Sequence, residues 1–328
     1  MFLNTELFGH QRGASNKGYK KIKYGTMVLS TQNLHLGNAN VNLRFDHGMV
    51  SPAYKTYVIT GCSVDLIAQW IKSDAAKRFF YNATTVGASV CRRNVEWDTL
   101  YEQSLYLPCR DEQEKVAKFL GLLSNRINKQ QRFVSALKKY KRGVLFRIFG
   151  NNENASLRYS SWSKRTLAEL CCEFKSGRNI SASLIHSSGL FPVYGGNGIR
   201  GYCDQYSHEG EYVVVGRQGA LCGNVRLIQG MNYLSEHAIA VKANEQNDTR
   251  FLLYLLDYMR LGQYSDQGAQ PGLAVNKLLR LQCDVPDKNT QTHIAAFLFC
   301  IDKQIGSHQK LLDSMLKQRK ALLQQLFI

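Results

Sequence analysis

The sequence predicts an α/β protein in which two similar globular domains alternate with two long helices. Two observations lead to this fold class. The first is an internal repeat: when Pro108 is set over Pro286, about forty residues match without a gap. The second is a heptad spacing of apolar residues inside each copy of the repeat, which is typical of long helices that pack along one face. The predicted order along the 328 residues is therefore domain, helix, domain, helix.

The two copies of the repeat share residue identities over their whole length. The pairs that coincide are Gln113 with Gln291, Ala117 with Ala295, Phe119–Leu120 with Phe297–Leu298, Ile127 with Ile305, Gln131 with Gln309, Lys139 with Lys317, Leu145 with Leu323 and Phe149 with Phe327. A proline next to each helix entrance, Pro108 or Pro286, marks the change from domain to helix, because proline disfavours helix in the residue before it.

The predicted helix seams run through apolar residues separated alternately by four and three positions. In the first copy they are Val116, Leu120, Leu123, Ile127, Val134 and Leu137, and in the second Ile294, Leu298, Ile301, Ile305, Leu312 and Met315. Polar residues interrupt both seams at matching positions: Gln130 and Lys141 in one, His308 and Arg319 in the other. Polar seam positions restrict register, so the match favours two helices that pack on each other. The alternative is that each helix packs on its own domain.

The domain boundaries follow from the repeat and from a polar stretch after the first helix. We predict a first domain at 1–107, a helix at 108–150, a linker at 151–160, a second domain at 161–285 and a helix at 286–328. In the second domain, 211–217 and 238–242 read as strands and 250–261 as a buried helix. Weaker echoes of these elements lie at 19–30, 48–59 and 64–80. The first domain has fewer residues before its first echo, which predicts that its amino-terminal portion is missing or short.

The charge balance points to a polyanionic partner. Lysine and arginine number 42 against 25 acidic residues, a formal net charge of +17, which favours nucleic acid. A merely basic solvated surface is the alternative. The nine cysteines include no CxxC pair, so neither a disulfide framework nor a zinc site is expected, and a cytoplasmic location fits. No apolar run approaches the roughly 20 residues that span a bilayer, so no membrane association is expected.

Motif searches favour binding over catalysis. The glycine-rich segments FPVYGGNGIRGY at 191–202 and GRQGALCGNV at 216–225 are interpreted as turns between short strands, with close approach to DNA as the alternative. Arg217 in the second segment can contact guanine or phosphate. No Walker A, HExxH, GxSxG or adenine-methyltransferase motif occurs. Glu173 and Lys175 form an ExK pair like that of metal-dependent nucleases, but no aspartate between 151 and 172 completes it, and no metal site is predicted.

The chain resembles the specificity subunits of type I restriction-modification systems. The residues that carry the resemblance are VSPAY at 50–54, FPVYGGNG at 191–198, GRQGALCGNV at 216–225 and LSEHAIAV at 234–241, with the helix endings RGVLFRIF and KALLQQLF. The resemblance implies two target recognition domains, each reading half of a bipartite DNA sequence, and an antiparallel coiled coil between them. The departure is at the amino terminus, where nothing equivalent to WSKRTLAELCCEFKSG at 162–177 precedes Tyr19.

The resemblance also implies the partners and the role of this chain. It would be a non-catalytic subunit for bacterial defence that binds double-stranded DNA and docks two methyltransferase subunits and the restriction subunits. S-adenosylmethionine, ATP and magnesium would then be bound by those partners and none of them by this chain. We expect DNA contacts from Lys21, Lys23, Lys175, Arg178, Tyr194, Asn197, Arg200, Arg217 and Gln218. A stand-alone nuclease using Glu173 and Lys175, or a coiled-coil scaffold without a DNA role, are the alternatives.

Overall fold

The computed structural model of the chain describes residues 18–87, 93–150, 162–219, 221–266 and 272–327. The chain divides into two compact units: unit 1 comprises residues 1–134 and 308–328, and unit 2 comprises residues 135–307. Each unit contains a globular part and a portion of each of two long helices. The predicted linker at 151–160, and the stretch before Tyr19 in which no strand-and-turn segment was found, lie outside the described residues except for Gly18.

In its described residues, the globular part of unit 1 contains short strands, three short α-helices and a single 3-10 turn at Leu34–Leu36. Its strands are β1 (Lys20–Lys23), β2 (Thr26–Ser30), β3 (Ala39–Val41), β4 (His47–Val50), β5 (Tyr54–Val58), β6 (Thr84–Val86) and β7 (Arg93–Val95). Its helices are α1 (Val64–Trp70), α2 (Asp74–Asn82) and α3 (Trp97–Glu102). The strands form a three-stranded antiparallel sheet of order β3-β2-β5 and two separate antiparallel pairs, β1-β4 and β6-β7.

The segment 64–80, the weaker echo of the helix at 250–261, is helical but holds two helices. Ser73 has extended backbone angles, and its hydroxyl accepts a hydrogen bond from the Ala76 amide at 3.1 Å, so it caps the start of α2. Ser63 caps α1 in the same way through the Leu66 amide. Both helices nevertheless share one core, in which the ring of Trp70 packs against those of Phe79 and Phe80.

The globular part of unit 2 is larger and richer in strands. Its strands are β8 (Ser163–Thr166), β9 (Cys171–Ser176), β10 (Phe191–Gly195), β11 (Gly198–Cys203), β12 (His208–Glu209), β13 (Tyr212–Gly216), β14 (Val225–Ile228), β15 (Met231–Leu234), β16 (Ala238–Ala243) and β17 (Gln282–Val285). Its short helices are α5 (Leu167–Leu170), α6 (Thr249–Met259) and α7 (Val275–Leu279). The predicted strands at 211–217 and 238–242 and the helix at 250–261 are therefore present as β13, β16 and α6.

Two four-stranded sheets organise unit 2. One is antiparallel with the order β14-β13-β16-β9, and the other has the order β11-β10-β15-β12; β8 and β17 form a separate pair. The valine run of β13 is buried on both faces: Val213 and Val215 pack in the main core with α6, while Val214 packs in a second cluster with Leu234. This explains why the strand reads as a continuous apolar run, since alternate side chains point to opposite faces.

The two long helices are α4 (Arg110–Phe149) and α8 (Lys288–Leu326), of 40 and 39 residues. At 1.5 Å per residue each is about 60 Å long. The residues named in both predicted seams are buried or half-buried. Among the described residues, none of the helices combines the length and the apolarity that a membrane span requires.

In unit 1, α4 and α8 touch through both apolar and polar side chains. Ile127 and Leu123 form a small cluster with Leu312 and Met315. The Gln130 amide nitrogen donates a hydrogen bond to the His308 carbonyl oxygen at 2.9 Å and lies 3.1 Å from the Nδ1 atom of the same residue. These two polar residues of the predicted seams therefore meet each other.

In unit 2, α4 and α8 share the main hydrophobic core. Leu145 and Ile148 from α4 are buried there with Leu298 and Ile301 from α8. The second polar seam residue of α4, Lys141, forms an ion pair with Asp302 of α8 at 2.8 Å. Within this unit the polar interruption is thus neutralised by a carboxylate of the other helix.

In each unit, a glutamine in the first turn of a long helix hydrogen-bonds to the globular part. In unit 1, Gln113 accepts a hydrogen bond from the Ser63 amide at 2.8 Å and donates one to the Pro108 carbonyl at 2.9 Å. In unit 2, Gln291 accepts from the Asp248 amide at 3.0 Å and donates to the Pro286 carbonyl at 2.9 Å. Since Ser63 and Asp248 cap α1 and α6, each glutamine joins a helix cap to a helix entrance, which explains the repeated proline and glutamine.

Candidate nucleic-acid interface

Two glycine-rich segments of unit 2 meet at the ends of strands β10 and β13. The segment 191–202 forms the hairpin of β10 and β11, as its interpretation as turns between short strands predicts. Gly196 of this hairpin lies against the carbonyl oxygen of Gln218, and Gly216 lies against the carbonyl oxygen of Gly196. A Cβ atom at either position would clash with backbone, so glycine is required for this close approach.

The close approach gathers a polar network on the surface beside the hairpin. The Arg217 amide donates to the His237 carbonyl at 2.9 Å, and its guanidinium donates to the Glu236 carbonyl at 3.4 Å. The His237 ring nitrogens lie 2.7 Å from Gln218 Oε1 and 2.9 Å from Glu236 Oε1. The Arg200 guanidinium is 3.9 Å from the same Glu236 oxygen. Three predicted DNA-contact residues, Arg200, Arg217 and Gln218, are thus brought together.

Glu236 and His237 are the members of this network that the site prediction missed. They lie in the segment LSEHAIAV, which carries part of the resemblance but whose charged residues the sequence assigns no role. Glu236 Oε2 is buried and has no hydrogen-bond partner. The carboxylate therefore holds the arginine and histidine side chains through one oxygen and keeps a second acceptor without a protein donor.

The remaining predicted contact residues lie in both units. Lys175, Arg178 and Asn197 of unit 2 are exposed, whereas Tyr194 is half-buried and packs against the cluster of Val214 and Leu234. Lys21 and Lys23 belong to unit 1, where they are exposed on β1 on either side of the buried Ile22. Their roles stay predictions.

The ExK pair of Glu173 and Lys175 belongs to a hydrogen-bonded network rather than to a free carboxylate. Glu173 accepts from the Tyr212 hydroxyl at 3.0 Å, lies 3.1 Å from the Lys175 ammonium, and is 3.2 Å from His208 Nε2. Burial would raise the pKa of Glu173, but the hydrogen bonds from Lys175 and Tyr212 and the charge of His208 hold it below its ordinary value. Burial, followed by the hydrogen bond to Glu173, raises the pKa of Tyr212 to about 12.

This network offers little room for metal chemistry. Both oxygens of Glu173 already have partners, and His208 Nδ1 lies 2.7 Å from the Ser207 hydroxyl. In the part of the chain that the structure describes, no group of three or more histidine, cysteine, aspartate or glutamate side chains is placed to hold a metal ion.

Comparisons with known proteins identify the larger part of unit 2. Residues 159–316 match the family described as "Type I restriction modification DNA specificity domain". This stretch is therefore similar to the DNA specificity domain of type I specificity subunits. The resemblance predicted from the sequence is thereby confirmed.

Curated relatives in the family match a limited part of the chain. A type I restriction enzyme EcoprrI specificity subunit of Escherichia coli is 43% identical over 148 residues, which are 44% of this chain and 37% of that protein. A putative type I restriction enzyme specificity subunit of Haemophilus influenzae is 28% identical over 137 residues, 41% of this chain and 36% of that protein. The match thus spans little more than a third of the length of these relatives.

Solved structures resemble the whole chain in fold. A type I restriction-modification S subunit from M. genitalium has a TM-score of 0.67 and 17% identity, and the match covers 96% of this chain and 87% of that one. A second structure, from work on complex assembly and conformational transition of the type I R-M system, has a TM-score of 0.58 and 16% identity, covering 96% and 84%. At these identities the similarity concerns the fold alone.

Proposed function

We propose that this chain is the DNA sequence-recognition subunit of a type I restriction-modification complex. The observation that carries the proposal is the match of residues 159–316 to the family's DNA specificity domain. The formal net charge of +17 supports it, because a phosphate backbone attracts a basic surface irrespective of sequence.

The polar network beside the β10–β11 hairpin is the proposed base-reading surface. Arg217 and Arg200 carry guanidinium groups that can donate two parallel hydrogen bonds to guanine, and the Gln218 amide can pair with adenine. Glu236 and His237 hold these side chains in place through the contacts described above. Lys175, Arg178, Lys21 and Lys23 would contact phosphates, which fixes position without specifying sequence.

The chain would act without catalysing a reaction of its own. Methylation of adenine at N6 and DNA cleavage would belong to two methyltransferase subunits and to restriction subunits, which would bind S-adenosylmethionine, ATP and magnesium. Both carboxylate oxygens of Glu173 already have hydrogen-bond partners. This supports catalysis by partner subunits, because a metal-dependent nuclease needs carboxylate oxygens that are free to bind the metal ion. The target would be bipartite, with each globular part reading one half.

The two long helices would pair as an antiparallel coiled coil that sets the distance between the half-sites. The contacts that support this are Ile127 with Leu312 and Met315, Gln130 with His308, and Lys141 with Asp302. Unit 1 would be a shortened recognition domain: among the residues that the structure describes, β5 pairs with β2 alone, whereas its counterpart β16 pairs with both β13 and β9.

The test is selection of duplexes from a randomised library by the complex of this chain with its methyltransferase. We expect enrichment of one two-part sequence, and relaxed preference at about one base pair when Arg217→Ala is used, since a bidentate contact contributes about 1–3 kcal/mol of discrimination. Lys303→Ala, which removes an exposed charge from α8, serves as the control.

Two results would contradict the proposal. Failure to enrich any sequence, with weak binding insensitive to salt, would indicate a scaffold without a DNA role. Magnesium-dependent cutting by the purified chain, abolished by Lys175→Ala, would indicate a nuclease.

A further inference from the structure

In unit 2, the polar seam residue Lys141 forms a cluster of four side chains with Asp302, Asp257 and Tyr254. The Lys141 ammonium lies 2.8 Å from Asp302 Oδ1 and 3.9 Å from Asp257 Oδ2. The other oxygen of Asp302 accepts a hydrogen bond from the Tyr254 hydroxyl at 2.9 Å. This Lys141 cluster therefore combines one cation with two carboxylates.

Unit 1 has the same four positions but different chemistry. On the long helices, the repeat that sets Pro108 over Pro286 also pairs Lys141 with Arg319 and Asp302 with Ser124. On the short helices, counting from the caps Ser63 and Asp248 pairs Tyr254 with Gln69 and Asp257 with Lys72. Both aspartates of the Lys141 cluster are thus replaced, one by serine and one by a second cation.

The four counterparts in unit 1, here the Arg319 cluster, are Gln69, Lys72, Ser124 and Arg319. Arg319 Nη2 donates a hydrogen bond to Gln69 Oε1 at 3.0 Å, and the Ser124 hydroxyl lies 3.5 Å from the same oxygen. Gln69 is buried. Its Oε1 atom accepts the hydrogen bond from the cation in unit 1, whereas in unit 2 a carboxylate oxygen of Asp302 does so. A neutral amide replaces an anion, so the charge of the cluster is uncompensated.

Two further observations indicate a missing anion. Arg319 Nε is buried and has no hydrogen-bond partner. Lys72 is exposed at the edge of the cluster, and desolvation together with the charge of Arg319 lowers its pKa. Among the described residues, no acidic side chain forms an ion pair with either cation. A buried guanidinium donor and a second cation beside it are costly unless an anion joins them.

We propose that Arg319, Lys72, Ser124 and Gln69 form a binding site for a phosphate group. Two cations match the charge of a phosphate dianion, whereas a carboxylate would leave one positive charge uncompensated. The guanidinium fork can donate two parallel hydrogen bonds to phosphate oxygens, the ammonium adds a point charge, and the serine hydroxyl adds a donor. The site is distinct from the proposed base-reading surface, which lies in unit 2.

The test is thermal unfolding of the full chain with inorganic phosphate, with AMP as a phosphomonoester, and with acetate, all at matched ionic strength. We expect phosphate at ten times its Kd to raise the Tm by about 2 °C. An equal effect of AMP means that the group is accepted free or esterified, and an effect of AMP alone assigns the site to esters; both results uphold the site. Acetate should have a much smaller effect.

Two variants separate this site from general binding to a basic surface. Lys72→Gln removes an exposed charge without opening the core and should weaken phosphate binding by about tenfold or more, as loss of a charge-assisted contact does. Ser124→Asp places a carboxylate where Asp302 stands in unit 2, and should raise the Tm without phosphate and abolish the response to it. The control Lys118→Gln removes one exposed lysine from α4 and should respond like the original chain.

Three outcomes would overturn the proposal. One is an equal response to phosphate in the original chain, Lys72→Gln and Ser124→Asp, which would mean adventitious binding elsewhere. Another is stabilisation by acetate as large as that by phosphate. The third is a lower Tm for Ser124→Asp, because it would mean that the Arg319 cluster has no need of an anion.

Discussion

At the residue scale, the network around Glu173 links stability to pH through a buried histidine. His208 is buried, and desolvation lowers its pKa more than Glu173 raises it; the other groups facing it are Ser207, Tyr212, Lys175 and Arg178. In the unfolded chain this imidazole would titrate near its ordinary pKa of 6.5. The unfolded state therefore binds more protons than the folded state in the pH range between the lowered folded-state pKa and 6.5.

We expect the Tm of the chain to fall as the pH is lowered from 7.5 to 5.5, in part through His208. The Tm falls because the pKa of His208 is lower in the folded state than in the unfolded state. Its contribution to stability is therefore present above the unfolded-state pKa and is lost as the pH falls below that value. His208→Gln should flatten this dependence, whereas His186→Gln, at an exposed position, should leave it unchanged. Equal slopes for the original chain and His208→Gln, measured by calorimetry across this range, would contradict the assignment.

A second prediction concerns the glutamines that hydrogen-bond each globular part to a long helix. Gln291→Ala leaves the Asp248 amide and the Pro286 carbonyl without their partners, so we expect a loss of about 1–3 kcal/mol in the free energy of unfolding. Gln304→Ala, at an exposed position of the same helix, should change it by less than about 0.5 kcal/mol. Urea unfolding measures both, and similar values for the two variants would rule out the fastening role.

At the scale of elements, the burial of the seam can be tested with a charge. Ile301→Lys would place an unpaired ammonium among Leu145, Ile148 and Leu298, at a cost of about 3 kcal/mol or more. Phe297→Lys is the matched control, because Phe297 on the same helix is 49% exposed. If urea unfolding gave the same free energy for Ile301→Lys and the original chain, the seam would not be part of the core.

Some of the helices and strands could be predicted from the sequence, and others could not. The long helices were predictable because heptad spacing repeats over many turns, and β13 was predictable from its valine run. The break between α1 and α2 was not, because 64–80 keeps a helical apolar pattern and the cap at Ser73 is a single hydroxyl. The one-turn helix α5 was missed as well, although Thr166 and Glu169 form a capping box that a local search can find.

The candidate site could be predicted only in part, because some of its residues are far apart in the sequence and meet only in the folded chain. Arg217 and Gln218 were chosen from a glycine-rich segment, but Glu236 and His237 reach them through pairing of β13 with β16. The Arg319 cluster joins Gln69 to Arg319, residues 250 positions apart. The repeat itself offered a signal for it, because Lys141 and Arg319 match while the aspartate that neutralises Lys141 has a serine counterpart.

At the scale of the whole molecule, the internal repeat and the positive charge support a single role. Two globular parts, each fastened by a glutamine to a long helix, would present basic surfaces to the two halves of one DNA site. Reaction chemistry would then come from partners, which fits a surface of arginines, amides and glycines rather than a metal site. The proposed site in unit 1 would bind a phosphate group in addition to the DNA bases contacted by unit 2.

We propose above all that this chain chooses the DNA sequence on which a methyltransferase acts. The most direct test is to map methylated adenines across a genome in cells that contain the methyltransferase, with and without this chain. We predict methylation at a single two-part sequence that disappears when the chain is removed and becomes less selective with Arg217→Ala. Methylation of the same sites in the absence of the chain would contradict the claim.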